Sequence, residues 1–320
     1  MPLSRTTRFT QVALLAAVLL CLTLTGAATA ASVAVGTWKT AQTIQPFYYQ
    51  EGLPDDLQVE VRAFTNPADQ KTALLAGSLT MTGTTLAHAI HSAVQGEPIV
   101  IVAALCNKCS ALVVGKDSDI LSEQDLKGKT IGYVPGTMHE ILLRETLVRN
   151  GLAPETDVTL VRVDFFDMGT ALARGSIDAF LSGEPFPTLA VQQGYGRVLS
   201  YPYYDDSVST INAGMIVRRD TIEQQPELVK ALVLAHARAT QRLSNNREAW
   251  LTAATAFGVP RDTLEIATAN MELAWDMNAD FVRQARTLGE RMQQLGLIDH
   301  QPDYDQLFDL EFVERIRTEL

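Results

Sequence analysis

The feature that most narrows the fold of this chain is an alternation, over most of its first two-thirds, of short apolar runs with amphipathic segments. That alternation is the pattern of βα units around mainly parallel sheets. Val33 to Trp38 reads as a first strand, and Leu57 to Ala63 as a second with Val59, Val61 and Ala63 on one face. Leu79 to Thr82 is a short strand, Leu86 to Val94 a helix, Ile99 to Leu105 a buried strand and Ala111 to Val114 another. A second series follows: strand Thr130 to Val134, a helix to Asn150 closed by Gly151, strand Val158 to Val163, a helix over Met168 to Arg174, and strand Ile177 to Leu181. Ala213 to Val217 is one more strand, and from Asp220 the pattern turns helical. Asp220 with Glu223 resembles a capping box. Leu228, Leu232, Ala235, Ala239 and Leu243 mark one helical face, and Phe281, Ala285, Leu288, Met292 and Leu295 another, closed by Gly296. No repeat and no low-complexity linker separates the two series, which predicts two α/β lobes packed on one another.

Residues 1–30 read as a cleaved signal peptide. Arg5 and Arg8 precede an apolar run from Gln11 to Leu24, and Ala28-Thr29-Ala30 has the small-x-small pattern of a cleavage site. The run is short for a membrane anchor, and bulky Leu20 before Cys21 disfavours lipidation. Cleavage after Ala30 removes two arginines and no acid, taking the net charge from −11 to −13. Such an acidic surface argues against nucleic acid and anionic lipid as partners. Roughly 290 remaining residues suffice for two domains. No later stretch is long and apolar enough to span a membrane, so a soluble, exported protein is expected.

Three groups of residues carry a resemblance. The first is Ala73-Leu74-Leu75-Ala76-Gly77-Ser78-Leu79 with Thr82-Gly83-Thr84-Thr85. The second is Ser110-Ala111-Leu112-Val113-Val114, then Ser118-Asp119-Ile120 and Asp125-Leu126-Lys127-Gly128-Lys129-Thr130-Ile131-Gly132. The third is Ala171-Leu172, Gly175-Ser176-Ile177-Asp178-Ala179-Phe180 and Glu184-Pro185. In order and spacing the chain resembles the periplasmic binding proteins for nitrate, taurine, alkanesulfonates and thiamine-precursor pyrimidines. The resemblance implies a type II periplasmic binding protein fold crossed twice by the chain, with lobe one at residues 31–115 and 207–320 and lobe two at 116–206. It also implies a monomeric extracytoplasmic receptor that closes by hinge motion on a small polar or anionic molecule and serves an ABC permease and ATPase. A receptor that presents its ligand to a membrane sensor is the alternative, and a pyrimidine-related enzyme on the same fold a further one.

Ligands of open α/β sheets sit off the carboxyl ends of strands, which nominates turns. Gly136-Thr137-Met138 opens a helix whose free N–H groups and dipole suit an anion, though Thr137 serves equally as an ordinary N-cap. Thr82, Thr84 and Thr85 form the equivalent turn in lobe one. Trp38 ends the first strand, where it either stacks on a ligand or fills the core. Glu184 is either a carboxylate facing an amine or N–H donor on the ligand, or an acid at a helix start beside Pro185. Tyr203 and Tyr204 either line the cleft or pack the hinge.

Cys106-Asn107-Lys108-Cys109 departs most from the family pattern before Ser110. In an exported chain the pair is expected to form a small disulfide that holds Asn107 to Ser110 at the cleft edge. A thioredoxin-like role fits poorly, because the pair lies between two predicted strands and not at a helix start. His88, His91, Met138 and His139 have no metal-ligand spacing to these cysteines. No metal, cofactor or catalytic residue is assigned: the sequence has no nucleophile elbow, phosphate loop, zinc-protease helix or dinucleotide fingerprint.

Overall fold

The computed structural model describes residues 31–320; the expected signal peptide lies outside the described residues. Strands β1 (Ala31–Trp38) and β2 (Leu57–Phe64), helix α1 (Pro67–Leu75), β3 (Met81–Thr85), α2 (Leu86–Val94) and β4 (Ile99–Lys108) begin the first lobe. The second lobe holds β5 (Ser110–Gly115), β6 (Thr130–Tyr133), α3 (Met138–Arg149), β7 (Thr159–Arg162), α4 (Met168–Ala173), β8 (Ala179–Gly183), α5 (Phe186–Gln192) and β9 (Gly196–Ser200). The chain then returns as β10 (Ile211–Arg218), followed by α6 (Arg219–Gln224), α7 (Pro226–Asn245), α8 (Arg247–Thr255) and α9 (Arg261–Ala267). Strand β11 (Met271–Leu273) and helices α10 (Ala279–Gln294), α11 (Tyr304–Leu307) and α12 (Glu311–Arg317) complete it.

The first sheet runs β11-β4-β10-β3-β1-β2 and the second β7-β6-β8-β5-β9. Strand β1 pairs in parallel with β2 and β3, and β6 with β7 and β8. Two antiparallel strands, β10 between β3 and β4 and β5 between β8 and β9, bring the chain in from the opposite lobe. The sheets are therefore mixed: a returning strand enters a parallel sheet from its far end. β4 and β10 are near-continuous apolar runs because both their faces are covered. On edge strand β2, Val59 and Val61 are half-buried while Ala63 is exposed, so the expected inward face is only partly covered.

The first crossing comes earlier than the expected boundary after Gly115. Ser110–Gly115 pairs with β8 and β9 in the second sheet. The chain turns at Lys108 and Cys109, whose φ values of 58° and 79° lie in the left-handed region and end the extended run of β4. The second crossing falls between β9 and β10.

Helices α7 and α10 bury the faces read from their periodicity, with Leu232, Ala235, Ala239 and Leu243 on one and Phe281, Ala285, Leu288 and Met292 on the other. The capping box expected at Asp220 is not formed. Asp220 sits inside the first turn of α6 and accepts from Arg218 Nε at 2.9 Å. A capping box forms instead at Ser122 and Asp125.

Candidate functional site

The carboxyl ends of β1, β3, β4 and β8 meet between the lobes and line a cavity of about 50 Å³. Trp38 ends β1, Thr85 ends β3, Cys106 lies near the end of β4, and Glu184 follows β8. This is the placement that the strand-end rule selects. Of the residues nominated from sequence, Trp38, Thr85, Cys106, Cys109 and Glu184 line the cavity together.

The wall from lobe one continues through the 3-10 turn Ala41–Thr43, which supplies Gln42 and Thr43 beside Thr40. Gln42 Nε2 donates to the main-chain oxygen of Glu184 at 2.6 Å and so joins the two lobes directly. The amide's other atom, Gln42 Oε1, is buried with no partner among the described residues. Trp38 is 8% exposed. With the Gln70 amide oriented to satisfy its neighbours, its Oε1 accepts from Trp38 Nε1 at 2.9 Å and its Nε2 donates to Thr82 Oγ1 at 2.9 Å. The indole N–H is thus held inside lobe one.

From lobe two come Glu184, His139, Phe165 and Phe186. Glu184 is 1% exposed, its Oε2 accepts from Thr188 N at 3.2 Å, and burial pushes its carboxyl up to about 7. His139 stands edge-on to Phe165, with ring centroids 5.4 Å apart, and Phe165 stacks parallel to Phe186. His139 Nδ1 shares a 3.0 Å hydrogen bond with Ser110 Oγ, and burial lowers the imidazole to about 4, so it is neutral. A Cβ on Gly183 would lie 3.0 Å from His139 Nε2 and 3.3 Å from Cys109 Sγ, so imidazole and thiol share one corner of the cavity.

The expected disulfide is absent: Cys106 and Cys109 are free and buried. Cys106 is fixed in the ladder opposite Ala213 and Leu273. The left-handed bend then carries the chain into the second sheet instead of back toward Cys106. Cys109 Sγ accepts from Asn212 Nδ2 at 3.2 Å, and burial pushes the Cys106 thiol up to about 12 and the Cys109 thiol well above its ordinary value.

The remaining nominated residues are placed around the cavity. Thr82 and Thr84 lie within β3, which continues through the segment read as a turn. Thr85 accepts from His88 N at 3.3 Å as the N-cap of α2. Thr137 Oγ1 donates to Val134 O at 2.7 Å and caps α3, and Met138 is core. Gly136 has φ 74°, its N–H donates to Glu140 Oε2 at 2.6 Å, and it abuts His88 of lobe one. Asn107 Nδ2 reaches Glu272 at 3.0 Å on the edge of β11. Tyr203 and Tyr204 pack the hinge: Tyr203 Oη accepts from Ser110 N at 2.6 Å and donates to Asn270, while Tyr204 Oη meets Thr146 Oγ1 at 2.9 Å.

Sequence reading missed Gln42, Phe165, Phe186 and Asn212. The strand-end rule carried two residues further past Trp38 and Glu184 would have reached Thr40 and Phe186. Asn212 opens the antiparallel β10, which no strand-end argument covers.

A family model described as NMT1/THI5 like matches residues 44–249. The nitrate/nitrite binding protein NrtA of Nostoc sp. is 30% identical over 129 residues, which are 39% of this chain and 29% of that protein. The 4-amino-5-hydroxymethyl-2-methylpyrimidine phosphate synthase of Schizosaccharomyces pombe is 30% identical over 139 residues, 43% of this chain and 38% of that enzyme. The matched stretches thus span less than two-fifths of either relative's own length. Among solved structures, the alkanesulfonate-binding protein SsuA from Xanthomonas axonopodis pv. citri, bound to MOPS, superposes with a TM-score of 0.78 at 17% identity, over 87% of this chain and 98% of that one. The fold is the one shared by these periplasmic binding proteins.

Proposed function

The chain belongs to the NMT1/THI5-like family, and on that premise we propose that it is an extracytoplasmic solute-binding receptor. It captures a small polar molecule between its lobes and delivers it to an ABC permease and ATPase. The observation that carries this reading is the hydrogen bond from Gln42 of lobe one to Glu184 of lobe two across a cavity walled by both lobes. Such a site is complete only when the lobes meet, so ligand capture and closure are one event. With about 50 Å³ of free space, solutes of more than a few heavy atoms enter and leave by parting of the lobes.

Export is supported by the leader pattern of residues 1–30. Among the described residues no helix is long and apolar enough to cross a membrane. Catalysis is the second reading, favoured by the thiol of Cys109 beside His139. Burial holds the thiol protonated and the imidazole neutral, whereas the reactive nucleophile is a thiolate. Binding is therefore the better account.

A solute screen followed by small-angle scattering tests the proposal. The expected result is a solute that raises the melting temperature by mass action and shrinks the scattering envelope. A tight solute that leaves the envelope unchanged would overturn it. An adjacent permease and ATPase in the genome would support import, and an adjacent sensor kinase would favour presentation to a sensor.

A further inference from the structure

On the reading that this cavity is the solute site, we propose that its ligand presents a cationic or N–H-bearing nitrogen group to the Glu184 carboxylate and the Gln42 amide oxygen, and is not an oxyanion. Among the described residues no lysine or arginine lines the cavity, and Glu184 is its only acid. An oxyanion there would meet a like charge in a water-poor space, with no fixed cation to offset it.

Two acceptors point the same way. The Glu184 carboxyl is 1% exposed. Gln42 is 7% exposed, its Nε2 donates to the Glu184 main-chain oxygen, and its Oε1 has no partner among the described residues. A ligand carrying two N–H donors would satisfy both.

At the N-termini of α3 and α2, N–H groups that could face an oxyanion are engaged by the chain itself. At the start of α3 the Gly136 N–H donates to the helix's own Glu140, and Glu140 N donates to Thr137 Oγ1 at 3.4 Å. At the start of α2 the His88 N–H donates to Thr85 Oγ1. The rings of Trp38, Phe165 and Phe186 complete the wall, and aromatic faces attract cations and repel anions. Burial raises Glu184 to about 7, and a bound cation returns it to the ionised form.

Matched planar probes of opposite charge test the inference: guanidinium against nitrate, and acetamidinium against acetate, each titrated by calorimetry at pH 8. A ligand of four heavy atoms binds at best with a Kd in the tens of micromolar, so millimolar titrations are needed. Each cation is expected to bind at least ten-fold more tightly than its matched anion. Glu184→Gln should cut cation affinity at least ten-fold, and Gln42→Leu, which keeps the native charge, should weaken it several-fold, with circular dichroism confirming that each variant is folded. An anion that binds as tightly as its matched cation, failure of both cations to bind, or undiminished cation affinity in both folded variants would overturn the inference. The receptor reading is judged separately: any other solute that compacts the protein in scattering leaves it standing when the cation inference fails.

Discussion

The side-chain amide of Gln42 donates to the main-chain oxygen of Glu184 at 2.6 Å, tying the turn after β1 to the turn after β8. Because each partner sits at the end of a central strand of its own sheet, a rotation of one lobe against the other breaks this bond before it disturbs either core. Glu184 N in turn donates to Cys109 O at 2.7 Å, so the acid is tied at its backbone to the first crossover. The cavity wall and the first crossover thus share residues.

Closure should be sensitive to Gly136. Its φ of 74° disfavours a side chain, and an added Cβ would lie 2.6 Å from His88 Nε2 of the opposite lobe. Gly136→Ala is expected to lose about 1–2 kcal/mol of stability from the left-handed backbone alone and also to weaken ligand binding by holding the lobes apart. Adding His88→Ala should restore affinity and leave the backbone loss. Chemical denaturation and calorimetry on the single and double variants separate the two effects. Affinity unchanged in the single variant would remove His88 and Gly136 from the closure contact.

Ligand binding should depend on pH through Glu184. Its carboxyl is raised to about 7, chiefly by burial. A cation favours the ionised form, so its affinity should rise with pH up to about 7, by at most ten-fold per unit, and level off above. Binding near pH 6.5 should release a proton, measurable as a dependence of the calorimetric enthalpy on the buffer's ionisation heat. A flat profile would separate Glu184 from ligand charge.

Folding stability should fall on acidification between about pH 6.5 and 4.5. Burial lowers His88, His139 and His236 from 6.5 to about 4 each. Their neutral forms contribute stability that is fully present above pH 6.5 and is lost as pH falls toward 4. Glu184 acts in the opposite sense: its raised carboxyl contributes stability that is full below 4.5 and lost as pH rises through 7. Three groups outweigh one. Glu184→Gln, which removes the opposing contribution, should make the acid loss steeper in urea titrations at successive pH values.

The two cavity thiols should be free and protected. Titration of chain 31–320 with a thiol reagent should find no fast reaction in the native state and two thiols after unfolding, because burial pushes both thiols far above neutrality. A reducing agent should leave the melting temperature unchanged. Finding no thiol after unfolding would restore the disulfide that the spacing of Cys106 and Cys109 invites.

Much of the architecture is legible along the chain, since periodicity is a local property. The apolar runs at Ile99 to Leu105 and Ala213 to Val217 read as buried strands, and the 3.6-residue stripes on α7 and α10 face the core as their spacing requires. The strand-end rule selects Trp38, Thr85 and Glu184, and all three line the cavity. It failed at Thr82 and Thr84. Thr-Gly-Thr-Thr has turn composition, but pairing of all four residues with β10, and of Thr82 also with β1, keeps it extended.

By itself the sequence determined most of the segments that become strands and helices, that two βα series pack without a linker, and which strand ends bear polar groups. The tertiary structure decided the rest. Whether Thr137 faces a ligand or closes its own helix depends on Val134 O and Glu140 N lying within reach. Whether Cys106 and Cys109 join depends on a ladder that fixes one and a bend that directs the other away. That Gln42 meets Glu184, 142 positions further along, depends on closure of two lobes that the chain crosses twice. Hydrogen-bond partners and burial are properties of chain segments brought together from far apart, and the distances that select among equally plausible local roles exist only after both sheets have formed.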